Sequence, residues 1–363
     1  MLQVERISKL TEFESLKGEW DQVLAFSGSD NVHLTHEWFT SWAATLGEGK
    51  ELLILRFKEN NETIGFAPLM IRTIYLKGLI PYRQIVFLAD PESDFADFLF
   101  TKNRFEVIQC LFNHLFKEYS WGELCLHTIP ESSPNFTAIQ SILPKMSTPY
   151  EFSPHSQCYF IPIKQQNWDE FYQGTSKGNI HKDMRRLKNH YSKIAWEIKE
   201  WEGQDSSSII PTISKLHQLS QTRKERESSY TKGDFIRFIE RVIVELKRKG
   251  WIRIYSLNIE KQPVSFMLGF EYKNIFYWWN TGFDNNFKNL SPTKYLLYNL
   301  LKHGFEHQTW EEFNFMRGGS DYKSHWTASF YNLYQIRIFN KKGAYGILNK
   351  FRDTSNRNQL NLR

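Results

Sequence analysis

Between residues 275 and 323 the chain spells out a strand, a loop, a capped helix, a second strand and a glycine-bearing turn. That order constrains the fold more than any other feature of the sequence. Residues 275–282 (IFYWWNTG) are aromatic and β-branched up to a glycine, which is strand composition. After the loop FDNNFKNL comes Ser291-Pro292. Serine is a favoured N-cap, and proline at the first helical position gives up only an N–H that had no partner. Leu296, Leu297, Leu300 and Leu301 recur at helical spacing, and Gly304 stands where a helix would be capped. Residues 312–316 read as another strand, which delivers Arg317-Gly318-Gly319-Ser320-Asp321-Tyr322-Lys323. A loop leading from a strand into a helix N-terminus gathers backbone N–H groups, a ready anion site for phosphate or pyrophosphate.

The elements before this stretch extend the same unit. Phe235, Phe238, Ile239, Val242, Ile243 and Leu246 mark a helix over 234–249, ending in Lys247-Arg248-Lys249-Gly250. Strands are expected at 251–258, 263–270 and 275–282, with Pro263 admissible at a strand's first residue. A further helix spans about 211–226, and a last strand 332–339. Ahead of these, residues 177–193 hold six Lys/Arg against one Asp, a local +5. There Ile180, Met184, Leu187 and Tyr191 share one helical face, and Lys182, Arg185, Arg186, Asn189 and Lys193 the opposite one.

The first half repeats this order. A capping box at Thr11 to Glu14 opens a helix that buries Phe13, Leu16, Trp20, Val23 and Leu24, and a second helix covers 36–46. Strands at 51–57 and 63–72 form a hairpin around KENNE, another lies near 84–88, and an acidic loop follows at 90–97. Phe105, Ile108, Leu111, Phe112, Leu115 and Phe116 mark a helix before a strand at 123–127. Residues 130–158, polar and rich in Pro and Ser, read as a linker. The expectation is an α+β fold of two tandem units, each a mixed, largely antiparallel sheet flanked by helices. The domains would be 1–158, 159–340 and a polar tail, 341–363.

A chain of 363 residues with 41% hydrophobic and 16% aromatic side chains can bury two cores. The formal net charge of +6 is modest, and its concentration in one helix argues against a DNA-coating protein. Cys110, Cys125 and Cys158 form no CxxC pair, so neither a disulfide framework nor zinc spacing is present, and no metal is expected. The sequence contains no run of about 18 apolar residues and no signal-peptide core at its start. A cytoplasmic protein is expected, with at most peripheral membrane contact. The eleven histidines show no HxH or HExxH pattern, and neither a GxSxG elbow nor a Cys/His pair at a suggestive turn exists, so covalent catalysis is not expected.

The second half resembles the GNAT acyltransferase fold, whose loop before the helix carries Gln/Arg-x-x-Gly-x-Gly/Ala and holds the pyrophosphate of acyl-CoA. Lys288, Ser291 and Thr293 occupy the matching positions, keeping a cation and replacing both glycines. The chain as a whole, over residues 10–330, resembles the acetyltransferases linked to bacterial cellulose and exopolysaccharide synthesis. These pair two GNAT-like units and are related to Fem-type peptidyltransferases. The residues that carry this likeness are Glu37-Trp38 with Trp42, Pro68-Leu69, Asp94 with Asp97, Lys182 with Arg185-Arg186, Ser291-Pro292 with Leu296-Leu297, and Gly318 with Tyr322-Lys323 and Trp326.

The resemblance implies transfer of an acyl group, acetyl first among them, from acyl-CoA to an amine or hydroxyl of a small molecule, sugar or envelope precursor. Lys288, Ser291, Thr293, Lys294 and Asn280 would bind the donor. Asp321 is the candidate general base, Tyr322 the acid that returns a proton to the thiolate, and Lys323 a donor to an oxyanion or phosphate. The bland alternative is a tight turn with a solvated Asp and a packing Tyr. Lys182, Arg185, Arg186 and Arg317 would meet an anion, and Trp279 would line a sugar groove; against this stand an ordinary solvated face and an ordinary core aromatic. Two other functions remain open: a Fem-type transferase using aminoacyl-tRNA, and a non-enzymatic subunit of envelope polysaccharide assembly. Nothing in the sequence marks an oligomeric state.

Overall fold

Strand-forming runs joined by short turns build both sheets. The computed structural model describes residues 2–76, 78–175, 179–201, 208–222, 225–318 and 321–340, with backbone alone for Leu76 and Asp321. Gly319, Ser320 and the expected tail at 341–363 lie outside the described residues. The described chain divides into two units, one of residues 2–43, 47–156 and 332–340, the other of 44–46 and 157–331.

In the first unit, β1 (Leu2–Ile7), β2 (Glu51–Glu59), β3 (Glu62–Leu76), β4 (Ile80–Phe87), β6 (Glu123–Pro130) and β13 (Phe330–Phe339) lie side by side in that order, and β5 (Leu99–Phe100) pairs with β3. Only β4 and β6 pair in parallel, through Gln84↔Glu123 and Ile85↔Leu124. The helices are α1 (Leu10–Ser15), α2 (Lys17–Ser27), α3 (His36–Ala43), α4 (Arg104–Glu118) and α5 (Phe136–Ile142). On one face Val107, Ile108, Leu111 and Phe112 of α4 join Leu124, Leu126, Ile336 and Ile338 in a continuous apolar core. On the other, Trp20 of α2 stacks on Phe66 of β3 at 4.7 Å. Residues 150–156 begin β7 (Tyr150–Pro162), beside β13.

The second unit takes the rest of β7 and sets beside it β12 (Glu312–Arg317), β11 (Ile275–Phe283), β10 (Gln262–Tyr272), β9 (Ile252–Ile259) and β8 (Trp196–Glu200). Here too one pair, β11–β12, is parallel and the others are antiparallel. Its helices are α6 (Trp168–Gly174), α7 (Ile180–Tyr191), α8 (Ile210–Thr222), α9 (Gly233–Arg248), α10 (Pro292–His307) and α11 (Asp321–Trp326). Trp168, Met184, Leu187, Leu296, Leu300 and Phe313 share a core under α6, α7 and α10. The expected α+β class, two tandem units with mixed, largely antiparallel sheets, is the observed one.

Several local expectations are corrected. Residues 130–158 are no linker: they hold α5 and most of β7, whose alternation of half-buried and exposed residues hides its strand character. The last strand does not extend the second half; it pairs with β6 of the first unit, from Leu333↔Pro130 to Phe339↔Glu123. The first helix begins at Leu10, so Thr11 lies inside it rather than capping it, and a break at Leu16 separates α1 from α2. Gly304 ends no helix. It sits within α10, where a Cβ would meet the Trp310 ring at 2.7 Å; the helix closes at Gln308 in the left-handed region.

Candidate active site

The site follows from where β11 and β12 part. Among the described residues they pair through Ile275↔Glu312, Phe276↔Phe313 and Tyr277↔Asn314, after which the strand partner of β11 is β10. A bulge at Leu268/Gly269 leaves Trp279 as the extra residue of β11. Gly269 permits that close crossing, since a Cβ there would lie 2.5 Å from the Tyr277 carbonyl oxygen. Gly282 plays the same part toward α8, whose backbone would lie 2.7 Å from an added Cβ. The end of β11 is fastened to α8 by Ser220, which accepts from the Phe283 N–H at 2.7 Å and donates to its carbonyl at 3.1 Å.

Beyond the split lies a cavity of about 510 Å³. Its walls come from Trp278, Gly282 and Phe283 of β11, the α10 start and, on the far side, Tyr322, His325 and Trp326 of α11. The helix start is built differently from expectation. Asp284 caps a 3₁₀ turn by accepting from the Asn286 N–H at 2.9 Å, and Ser291 adopts φ 42°, ψ 55° with no side-chain capping bond. The first-turn N–H groups of α10 are thus left uncapped by Ser291, beside a cavity that Ser291, Pro292, Thr293 and Lys294 line. Thr293 is oriented by its hydroxyl, 2.9 Å from that of Ser265, which donates to the Gly282 carbonyl. Lys288 lines the same cavity and is exposed. Lys294 lines it too and pairs with Asp183 of α7 at 2.7 Å.

The remaining candidates are distributed differently. Tyr322 is 39% exposed, meets Trp278 edge-on at 5.9 Å and lines the cavity. Lys323 is buried, and its ammonium donates to the carbonyls of Met316 (3.1 Å) and Arg317 (2.9 Å). This fastens the end of β12, where Met316 has φ 61° and its N–H donates to Asn314 Oδ1 at 2.9 Å. Its geometry is that of a backbone clamp rather than an oxyanion donor. Arg317, half-buried on β12, lies opposite Cys158 and does not line the cavity; neither does Asn280, opposite Leu268. Trp279 is no wall of a groove here: it packs on Phe270 at 5.1 Å and meets Phe238 of α9 edge-on at 6.3 Å. Asp321 opens α11, its side chain outside the described residues.

Along α7, Ile180 reaches the cavity, while Lys182, Arg185 and Arg186 are exposed. Arg186 donates to the Asn289 carbonyl at 3.0 Å, and Tyr191 to that of Leu290 at 3.2 Å, tying the helix to the loop before α10. The sequence reading missed His325, Trp326, Ser220 and Gln221 as wall residues. His325 sits three residues after Tyr322, a helical spacing that would have put both on one face had a helix been expected there. Among the described residues no group of three or more His, Cys, Asp or Glu is placed to hold a metal ion.

Residues 177–324 match the family model described as an acetyltransferase (GNAT) domain. No curated protein matches the sequence. In fold the chain is similar to FemX (TM-score 0.62, 11% identity, 95% of this chain and 99% of that one). It is also similar to L-PGS from Bacillus licheniformis (0.55, 10%, 91% and 94%). A third solved structure, a tandem GNAT protein from the clavulanic acid biosynthesis pathway, gives 0.51 at 9% identity, covering 92% and 98%. The cavity where two parallel strands part, the helix start beside it and the match over residues 177–324 fall on the same part of the chain, which is similar to an acetyltransferase (GNAT) domain, in a fold like that of the tandem-GNAT proteins.

Proposed function

We propose that the chain transfers an acyl group, acetyl in the first instance, from acyl-CoA to an amine or hydroxyl on a small-molecule, sugar or envelope-precursor acceptor. The observation that carries this reading is the cavity at the β11–β12 split with the α10 start in its wall. Acyl-CoA would supply an activated thioester. The first-turn N–H groups of α10 would hold its phosphates, with Lys288 as a supplementary charge and Lys294 held in place by Asp183. The side chains of Ser291 and Thr293, where glycines would leave more room, narrow the approach of a pyrophosphate, so the affinity expected is modest. Beyond Tyr277, where β11 no longer pairs with β12, its backbone would present N–H groups to a thioester carbonyl, with Trp278 and Trp326 in the cavity wall to exclude water.

Asp321 would take the proton from the acceptor, and Tyr322, on the cavity wall, would return one to the thiolate. The domains proposed are residues 1–158 and a donor-binding, catalytic 159–340. The role in cellulose or exopolysaccharide synthesis, and a cytoplasmic site of action, belong to the same proposal. No described helix is long and apolar enough to cross a membrane.

The test is release of free CoA from acetyl-CoA in the presence of amine and hydroxyl acceptors. Asp321→Asn should lower turnover by about 10²–10⁴-fold with donor affinity preserved. Unchanged turnover would remove Asp321 from the mechanism, and failure of the wild-type chain to bind acetyl-CoA would remove the donor. One observation favours a second reading, an aminoacyl-tRNA donor: Lys182, Arg185, Arg186 and Lys188 lie exposed along α7, whose first residue reaches the cavity. RNA binding that weakens steeply with salt would support it over acyl-CoA.

A further inference from the structure

The first unit holds a chemical cluster that acyl transfer does not use. On β6, Leu124 and Leu126 enter the core, so the period of two turns Cys125 and His127 together onto the opposite face. His127 Nε2 lies 3.1 Å from Cys125 Sγ, and His127 Nδ1 lies 3.5 Å from Asp90 Oδ1. Asp90 is in turn held by Arg72 at 2.9 Å, and the Arg72 Nε donates to Gln84 at 2.8 Å. The His127 ring is stacked on the exposed His155 of β7, with centroids 4.9 Å apart. Directly across the ladder from Cys125 stands Arg337 of β13, bonded to Glu123 at 2.6 Å and Glu151 at 3.1 Å. Sulfur, imidazole and orienting carboxylate are therefore in series.

We propose that Cys125 is a modification site: its sulfur, attacking as the thiolate with the His127 N–H beside it, is oxidised by small peroxides to a sulfenic acid. The Asp90 hydrogen bond, followed by that to Cys125, raises the His127 pKa to about 9, so the ring is an imidazolium at neutral pH and both its N–H groups donate. A cationic donor at 3.1 Å is the environment in which thiolates persist. The reaction balances within the cluster. The sulfur attacks one oxygen of hydrogen peroxide, the O–O bond breaks, and the leaving hydroxide takes the His127 Nε2 proton to leave as water. Sulfur gives up two electrons and the peroxide accepts them. Cys125 is only 4% exposed, which selects for reagents near the size of water, while His127 reaches the surface at 23%.

The other two thiols are internal controls. Cys110 on α4 is half-buried and, among the described residues, meets no cationic hydrogen-bond partner; burial pushes its pKa up. Cys158 is fully buried and donates to Asn314 Oδ1 at 3.1 Å. The experiment treats the folded full-length chain with hydrogen peroxide, traps sulfenic acid with dimedone and reads each cysteine by mass spectrometry. Cys125 should be labelled at least about tenfold faster than Cys110 despite its lower exposure, and His127→Gln should remove that lead. In urea the three thiols should label alike, which ties the lead to the fold. Equal or slower labelling of Cys125 in the folded wild-type chain would overturn the proposal, as would a lead that survives His127→Gln.

Discussion

The two units share an order of elements and treat the space beyond their parallel strand pair in opposite ways. In the first unit the chain leaving β4 folds back to fill it. Phe98 packs between Phe87 at 5.3 Å and Phe100 at 5.6 Å, and Asp97 is sealed beneath, accepting from Ser29, Ser133 (2.6 Å) and Asn135 (2.9 Å). The cation beside the following helix, Lys102, is neutralised by Glu59 and Glu62. In the second unit the corresponding loop leaves a cavity, and Lys288 stands exposed at its wall. A repeated fold is therefore not a repeated site. A phenylalanine and a buried carboxylate fill in the first unit the place that stays open in the second.

The residues that carried the family likeness in the first half belong to this packing. Trp38 and Trp42 are fully buried, donating to Ser93 and Glu92 at 2.9 Å each. Burial pushes the Asp97 carboxyl above the usual range, although its four hydrogen-bond donors oppose this. Other charges of the first unit are closed into networks, as in Arg72–Asp90 and Arg337–Glu123. In the second, the α7 cations Lys182 and Arg185 face solvent.

The sharpest way to break the contrast is to empty the filled position. Phe98→Ala should cost about 3–5 kcal/mol of stability in denaturant unfolding, because a fully buried ring leaves a cavity that its neighbours cannot close. Tyr322→Ala, on the wall of the existing cavity, should cost within about 1 kcal/mol and weaken donor binding instead. Equal costs would mean that the two positions are packed alike.

A second test uses pH. The folded His127 pKa of about 9 exceeds the ordinary 6.5, so the stability it contributes is fully present below about pH 6.5 and is lost as pH rises through about 9. Over that window wild type should lose on the order of 3 kcal/mol relative to His127→Gln, measured by unfolding at fixed temperature. A difference independent of pH would show that the closed network does not hold an imidazolium. The smallest effect is expected on α7: the Arg185→Ala/Arg186→Ala pair should change stability by within about 0.5 kcal/mol per site while lowering donor affinity a few-fold. Lost stability with unaltered binding would make these side chains structural.

What could be read in advance was what local chemistry encodes. The aromatic, β-branched run at 275–283, Ser291-Pro292 and the apolar stripe of α9 each determine an element within a few residues, and Lys288, Ser291, Thr293 and Lys294 fall on the cavity wall because one loop and one helix turn carry them. What escaped depends on distant partners. β13 pairs with β6 some 200 residues away, as in Leu333↔Pro130, and no local pattern announces this. β7 is half-exposed along most of its length, so its polar sequence looked like a linker. Ser291 was expected to cap with its side chain and instead takes a left-handed backbone. Cys125 and His127 stand two residues apart on β6 but were not singled out as a pair, and Asp90 joins them only through the fold.

The claim that the second unit alone binds the donor is tested most directly by calorimetric titration of acetyl-CoA into wild type and Thr293→Trp. Thr293 lies on the cavity wall at the helix start, where an indole would fill the space proposed for the donor's phosphates. One site per chain is expected, weakened at least about tenfold in Thr293→Trp, a loss of about 1.4 kcal/mol or more. Two sites per chain, or an affinity indifferent to the substitution, would contradict the account.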